Sequence, residues 1–183
     1  QIALFLGSII LLMPVGWHFL RDYQKERLLV FLNPNIDPLG AGYTVIQSKI
    51  AIGSGGFLGK GWLSGTQSQL RFLPEAHTDF IFATFAEQWG LLGSLLLLLL
   101  YYLLINQGIS IGMKTHDNFG RLLSFGISAM LAIQVCINIA MNLGLAPVVG
   151  LPLPLMSYGG SSVITTFIAL GILANINKTR GVF

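Results

Sequence analysis

Residues 80–105 read FIFATFAEQWGLLGSLLLLLLYYLLI, and this stretch decides the class of fold. It carries one charged side chain, Glu87, and exceeds the length of about 20 apolar residues that an α-helix needs to cross a bilayer. An unbroken leucine run from Leu95 to Leu100 lies within it. The sequence therefore predicts a membrane-spanning helix from Phe80 to Ile105.

The rest of the chain has the same apolar character. Its 183 residues are 54% hydrophobic and 9% charged, whereas soluble domains are about 25% charged. Further apolar runs of spanning length cover Ile2 to Leu20, Leu122 to Leu143 and Ser161 to Ile176. We therefore predict an all-α integral membrane protein, in which residues 1–183 form a single membrane domain with about four transmembrane helices.

The connections on the two sides of the membrane differ in how many basic residues they carry. Short connections rich in Lys and Arg stay in the cytoplasm, which places Lys114 and the tail with Lys178 and Arg180 on that side. Two connections, residues 21–79 and the proline-rich loop of residues 146–160, then lie on the outer face. A bare count of basic residues in 21–79 favours the opposite orientation, but that loop is at the upper length limit of the rule. Because the chain opens inside an apolar run, we also expect it to be a fragment of a longer polytopic protein.

The long connection begins with helical signals. Residues 21–27 alternate acidic and basic side chains as on a solvated helix, and the Asn33-Pro34 pair predicts its end. A short amphipathic helix lying on the bilayer is predicted next, from the helical spacing of Tyr43, Ile46 and Ile50.

A glycine-rich loop, residues 53–61, reads GSGGFLGKG. It is not a P-loop, because Ser54 and Gly61 stand where that motif needs a glycine and a hydroxyl residue. It is not a dinucleotide fingerprint either, because Leu58 replaces a required glycine. Two interpretations stay open: bare backbone amides that approach a ligand such as a phosphate, or a structural turn.

Titratable residues cluster just before the leucine-rich span. Glu75, His77 and Asp79 fall within five positions at a membrane edge, where polar groups are costly to desolvate. Asp79 is the candidate base, and a helix cap formed by Thr78 or Asp79 is the structural alternative. Burial would raise the pKa of Asp79 and a helix N-terminus would lower it, so the sequence leaves the direction of the net pKa shift open. Two interpretations of Glu87 stay open: it lines a functional cavity, or it is a protonated structural residue bonded to a neighbouring helix.

The proline-rich loop mixes apolar residues with Pro and Gly. This composition predicts a rigid, non-helical, partly embedded segment, which is allowed where protein or water satisfies its backbone. It is either the wall of a site for a lipid-like substrate or a tight connector.

Several motifs in their order along the chain resemble one family of bacterial membrane proteins. The motifs are Gly42-Tyr43, Gln47-Ser48-Lys49, Ile52-Gly53-Ser54-Gly55-Gly56, Leu73-Pro74-Glu75, His77-Thr78-Asp79-Phe80, Pro152-Leu153-Pro154 and Ser157-Tyr158-Gly159-Gly160. The match covers nearly the whole chain and identifies it as similar to the SEDS (shape, elongation, division and sporulation) family. Residues 59–70 are similar to the rod-shape (RodA) branch rather than the division (FtsW) branch.

The resemblance implies a fold and an activity. It implies the C-terminal portion of a ten-span fold and a glycosyltransferase that polymerises lipid II on the outer face of the bacterial cytoplasmic membrane, in cell elongation. It also implies Asp79 as the essential catalytic residue, with Lys49 as the first choice for the leaving diphosphate and Arg71 among the weaker ones. The other residues expected to bind substrate are Gln47, Glu75, His77, Thr78, Ser157, Tyr158, Arg21 and Lys60.

The expected ligands and partners follow from that activity. They are lipid II, undecaprenyl diphosphate, membrane lipids and a class B penicillin-binding transpeptidase, with no nucleic acid. No metal-ligand cluster is recognisable, although a divalent cation could share the charge of the diphosphate. Two rival functions stay open: a flippase for lipid-linked sugars, and a non-catalytic scaffold for a cell-wall synthase.

Overall fold

The computed structural model describes residues 20–33, 40–62, 64–65, 73 and 75–179. These residues form five α-helices. In chain order they are α1 (Asp22–Leu32), α2 (Ala41–Ser54), α3 (Ile81–Lys114), α4 (Asn118–Asn142) and α5 (Gly160–Thr179).

The predicted all-helical membrane fold is confirmed. Among the described residues, α3, α4 and α5 are long and apolar enough to cross a membrane. Each covers one of the predicted spans to within one residue, and α3 continues to Lys114, well beyond the predicted end at Ile105. The expected first span, Ile2 to Leu20, lies outside the described residues except for Leu20.

The long connection contains the two predicted short helices. α1 ends at Leu32, directly before Asn33-Pro34, because a residue that precedes proline is disfavoured in the helical region. On α2 the buried face differs from the predicted apolar stripe, since Ile50 is exposed. Small side chains let α2 pack closely against α3 and α4. The buried positions recur every three residues: Gly42, Val45, Ser48 and Ala51.

Apolar clusters hold the helices together at both ends. Near the end where α3 meets α4, Ile111, Ile127 and Leu131 pack with Ala169 and Leu173 of α5. At the opposite end, beside Asp79, the buried residues Ala51, Leu73, Ala76, Phe80 and Ala83 form a second cluster that joins α2 to the start of α3.

Helix α3 is interrupted at Gly90, whose φ of 65° and ψ of −163° are not helical. The i→i−4 bonds that would join Leu91 to Glu87 and Leu92 to Gln88 are replaced by bonds to the glycine-rich loop. The carbonyls of Glu87 and Gln88 accept from Lys60 and Gly61 at 3.0 and 3.1 Å. The N–H groups of Leu91 and Leu92 donate to the carbonyls of Gly56 and Phe57, at 2.9 and 3.2 Å.

The structural interpretation of the glycine-rich loop is therefore favoured over the phosphate-binding one. The N–H groups of Gly55, Gly59, Lys60 and Gly61 donate to backbone carbonyls of the protein. A Cβ atom at Gly59, where φ is +81°, would collide with the backbone carbonyl of Gln88. Glycine is thus required for the close approach of two backbones.

The proline-rich loop is non-helical, as predicted, from the end of α4 to Gly159. Leu153 and Pro154 are buried, and the hydroxyl of Tyr101 on α3 donates to the carbonyl of Pro154 at 2.7 Å. The loop is therefore anchored against a membrane-spanning helix.

Candidate active site

Asp79 lies in the turn that leads into α3. Its backbone carbonyl accepts hydrogen bonds from Nδ2 of Asn138 at 3.1 Å and from Nδ2 of Asn142 at 3.0 Å, and both asparagines are fully buried on α4. The side chain of Asp79 is partly exposed and faces Gly150, where a methyl group would sit 3.4 Å from Oδ2. The backbone of Asp79 is fixed, while its carboxylate points towards the proline-rich loop.

Neither Thr78 nor Asp79 caps α3, which was the structural alternative for this pair. Phe80 is the N-cap residue and provides no side-chain hydrogen bond. The hydroxyl of Thr78 donates instead to Oε2 of Glu75 at 3.0 Å. The carboxylate of Asp79 is therefore not used for capping.

The turn and the proline-rich loop are hydrogen-bonded to each other. The N–H of Tyr158 donates to the carbonyl of His77 at 2.8 Å, and Oγ of Ser157 donates to the carbonyl of Thr78 at 2.6 Å. Oγ of Ser157 also accepts from the N–H of Leu153 at 2.7 Å. The structure thus brings together four of the predicted site residues, which are His77, Thr78, Ser157 and Tyr158. The buried Ser157 links the turn to the proline-rich loop through its hydroxyl.

His77 and Tyr158 are exposed and line an open groove of about 760 Å³. Its other walls come from α3 and α5, through Ile81 and Ile164, and from Met156 of the proline-rich loop. A mostly apolar groove with a few polar side chains suits an amphiphilic ligand, and its lining residue His77 lies two positions before Asp79.

The electrostatic environment raises the pKa of Asp79. Burial is the largest cause, and the negative charge of Glu75 adds to it, while the positive charge of Arg27 opposes both. The net pKa shift of Asp79, whose direction the sequence left open, is therefore upward. A carboxylate with a raised pKa is a better proton acceptor, because its basicity comes closer to that needed at neutral pH.

Arg27 and Lys49 line one cleft beside the proline-rich loop. Nη1 of Arg27 donates to the carbonyl of Val148 at 2.9 Å, which holds α1 against this loop. Lys49 projects from α2 across Gly144, just after the end of α4. Sequence reasoning placed Arg27 on a solvated helical face and missed it as a site residue.

The remaining predicted binding residues lie in other places. Gln47 is partly exposed on α2, and Arg21 is exposed at the N-cap of α1. Lys60 pairs with the fully buried Glu87 at 2.9 Å, so the ion-pair partner of Glu87 is a cation of the glycine-rich loop and not the neighbouring helix that the structural interpretation expected. Arg71 lies outside the described residues. The described part of the chain contains no group of three His, Cys, Asp or Glu side chains that could hold a metal ion.

Comparison with known proteins shows the family to which this chain belongs. The FtsW/RodA/SpoVE family model, described as a cell cycle protein, matches residues 1–181. The chain belongs to this family. Membership confirms the resemblance inferred from the motifs, and the multi-pass membrane architecture is that of the FtsW/RodA/SpoVE proteins.

Individual members of the FtsW/RodA/SpoVE family are close in sequence. The peptidoglycan glycosyltransferase MrdB of Escherichia coli K12 is 55% identical over 168 residues, which cover 91% of this chain and 45% of that protein. A probable peptidoglycan glycosyltransferase FtsW of Geobacter metallireducens is 42% identical over 174 residues, covering 94% of this chain and 46% of that protein. The chain spans about half the length of the curated relatives it matches, and the higher identity favours the rod-shape branch.

A solved structure shares the fold. It is described as the structural coordination of polymerization and crosslinking by a peptidoglycan synthase complex. The similarity has a TM-score of 0.75 at 39% identity and covers 98% of this chain and 49% of that chain.

Sequence reasoning missed the two asparagines that fix Asp79. Within the FtsW/RodA/SpoVE fold of this chain, Asn138 and Asn142 lie one turn apart on the same face of a spanning helix. Two buried amides at that spacing were the available signal, since a polar side chain inside a span needs a partner.

Proposed function

We propose that this chain carries the catalytic base of a peptidoglycan glycosyltransferase, which polymerises lipid II into glycan strands during cell elongation. One observation supports this most directly. Asp79 is held by its backbone, is not used as a helix cap and has a raised pKa, and His77, two residues before it, lines an open groove. The curated relatives named peptidoglycan glycosyltransferase supply the reaction class.

In the proposed reaction, Asp79 takes the proton from the 4-hydroxyl of the acceptor sugar. The oxygen attacks the anomeric carbon of the donor, and the bond from that carbon to the diphosphate oxygen breaks. Undecaprenyl diphosphate leaves with the electron pair, and the configuration inverts. One carboxylate suffices because a diphosphate leaves without an acid to protonate it, unlike the leaving groups of glycosidases.

Positive charge is needed where the diphosphate develops its charge. Arg27 and Lys49 line one cleft, and Arg27 is near enough to Asp79 to lower the pKa of its carboxyl. Fixed cations at that position would stabilise the transition state more than the ground state. We include a divalent cation in the proposal as a further counter-charge, tested by comparing EDTA with added Mg²⁺.

The proposal extends to location and partner. We place Asp79 on the outer face of the bacterial cytoplasmic membrane, because Lys114 and Lys178 at the opposite ends of the spans fit the cytoplasmic side. We also propose a class B penicillin-binding transpeptidase as partner. A solved relative described as a complex for polymerization and crosslinking supports that pairing.

Polymerisation of purified lipid II by the full-length protein with its transpeptidase tests the function. Asp79→Asn and Asp79→Ala are compared with the native protein and with Asp22→Asn. Asp22 is an exposed carboxylate on α1, so it controls for the loss of one negative charge.

We expect both Asp79 variants to lose glycan polymer while they fold normally, and Asp22→Asn to retain it. Normal polymer from Asp79→Asn would overturn the proposal and favour the scaffold function. Movement of lipid II across liposome membranes without polymer would favour the flippase.

A further inference from the structure

Helix α3 begins without a cap from its own sequence. The first N–H groups of an α-helix have no partner within the helix, and a side chain just before the helix commonly accepts from one of them. Phe80 cannot do so. The N–H of Ala83 donates instead to Oδ1 of Asn142 at 3.2 Å, and Asn142 belongs to another helix, α4.

The same asparagine also holds the turn in front of the helix. Nδ2 of Asn142 donates to the carbonyl of Asp79, and Nδ2 of Asn138 donates to that same oxygen atom. Asn138 additionally donates to the carbonyl of Leu151 at 2.7 Å, which ties the proline-rich loop to this point. One carbonyl of Asp79 is therefore held by two buried amides of α4.

Asn142 also contacts the helix that carries Lys49. Oγ of the buried Ser48 donates to the carbonyl of Asn142 at 2.8 Å and lies 3.5 Å from its Oδ1. Ser48 directly precedes Lys49 on α2. The start of α3, the end of α4 and the cation-bearing helix thus meet at one side chain.

We propose that Asn142, assisted by Asn138, is a positioning residue that caps α3 in place of Asp79 and so keeps the Asp79 carboxylate free to act as a base. This inference rests on the proposed function. Asp79 immediately precedes the N-cap, and aspartate readily caps helices from nearby positions. A carboxylate captured by the helix N-terminus would accept backbone hydrogen bonds, and its basicity would fall.

The test is steady-state polymerisation of lipid II by the full-length protein and its transpeptidase, with Asn142→Leu, Asn138→Leu and Ser128→Ala. Ser128 is a matched control, because it is a buried polar residue of α4 whose hydroxyl bonds within its own helix, to Ser124. Should Asn142→Leu not fold, Asn142→Ser applies the same test. Serine is polar but too short to reach both Ala83 and Asp79.

We expect kcat to fall roughly 10- to 100-fold in the Asn142 variant with KM nearly unchanged, because misplacement of a reacting group costs that order of rate. We also expect the acid limb of kcat/KM to move to lower pH, since the released carboxylate is better solvated or bound by the helix N-terminus. The charged groups that act on Asp79, Glu75 on its own turn and Arg27 on α1, stay unchanged in these variants. Asn138 and Asn142 of α4 and Gly150 of the proline-rich loop, which lie against Asp79, are neutral, and so is Ser48 of α2, which bonds to Asn142.

A native kcat in the folded Asn142 variants would overturn the inference, and so would a lower kcat with an unmoved acid limb. Asp79→Asn, measured in parallel, separates this from a failure of the proposed function. An inactive Asp79→Asn beside native Asn142 variants rejects the positioning role alone. An active Asp79→Asn rejects the catalytic role of Asp79, and the positioning role with it.

Discussion

Nζ of Lys60 lies 2.9 Å from Oε1 of Glu87, and this ion pair joins the glycine-rich loop to the buried face of α3. Removal of one partner from a buried pair leaves an uncompensated charge, which is more costly than removal of both. We therefore expect Lys60→Met to lower the free energy of unfolding by about 3 kcal/mol, at the low end for buried pairs because Lys60 is partly exposed.

The double variant Lys60→Met with Glu87→Gln should recover most of that loss. Thermal unfolding in detergent measures both variants, with Lys25→Met on α1 as the control. Lys25 lies 3.9 Å from the exposed Asp22, so this control should change stability very little. A double variant no more stable than Lys60→Met would contradict the coupling.

The charges around Asp79 predict opposite pH shifts for two variants. In the proposed reaction, Asp79 becomes protonated as pH falls through its pKa and can then no longer accept the proton. Glu75→Gln removes a charge that raises this pKa, so the acid limb of kcat/KM should move to lower pH. Arg27→Gln removes a charge that lowers the pKa, so the limb should move to higher pH. Lipid II polymerisation across a pH series measures both, with Glu26→Gln as the control, and shifts in one common direction would refute this electrostatic account.

Lys49 is predicted to stabilise the leaving diphosphate. Lys49→Gln should lower kcat by about 100-fold, the order found when one charge-stabilising donor is removed, with a smaller change in KM. Lys49→Arg should retain much of the rate, because it keeps the charge. Lys25→Gln is the control for a lysine outside the cleft, and an equal loss in that control would point to a non-specific effect of charge.

The backbone contact at Gly59 predicts a strong difference between two glycines. Gly59→Ala places a methyl group against the carbonyl of Gln88 and at a φ of +81°, so it should destabilise the protein by about 1–3 kcal/mol. Gly53→Ala lies in α2, where a Cβ would meet no other atom within 4 Å, so it should be neutral or slightly stabilising. Thermal unfolding distinguishes them, and equal midpoints for the two variants would argue against the close packing at Gly90.

Hydropathy predicted the membrane-spanning helices because their signal is local. The runs that became α3, α4 and α5 are apolar over the full thickness of a bilayer, and each end is marked by polar or turn residues. The break at Gly90 could not be predicted in the same way. Its replacement hydrogen bonds come from residues 56–61, in a separate segment of the chain.

The candidate site was predictable where a motif carried it and unpredictable where distant contacts made it. Asp79, His77 and Tyr158 stood out by residue type and resemblance. Asn138 and Asn142 did not, because their bonds to Asp79 join residues 59 and 63 positions apart. Arg27 could not be recognised for a related reason: it stands among alternating charges on α1, and its contact with Val148 and its effect on Asp79 appear only in the folded structure.

The interruption at Gly90 divides α3 into a short first part, next to Asp79, and a longer leucine-rich part that can tilt separately. The leucine-rich part beyond it must follow the thickness of the surrounding bilayer, and spanning helices adapt to thickness by tilting. At a point where the helical hydrogen-bond ladder is open, such a tilt would be taken up by the backbone of the glycine-rich loop. We therefore expect Asp79 to keep its geometry in bilayers of different acyl-chain length, so that polymerisation rates vary little between short-chain and long-chain lipids.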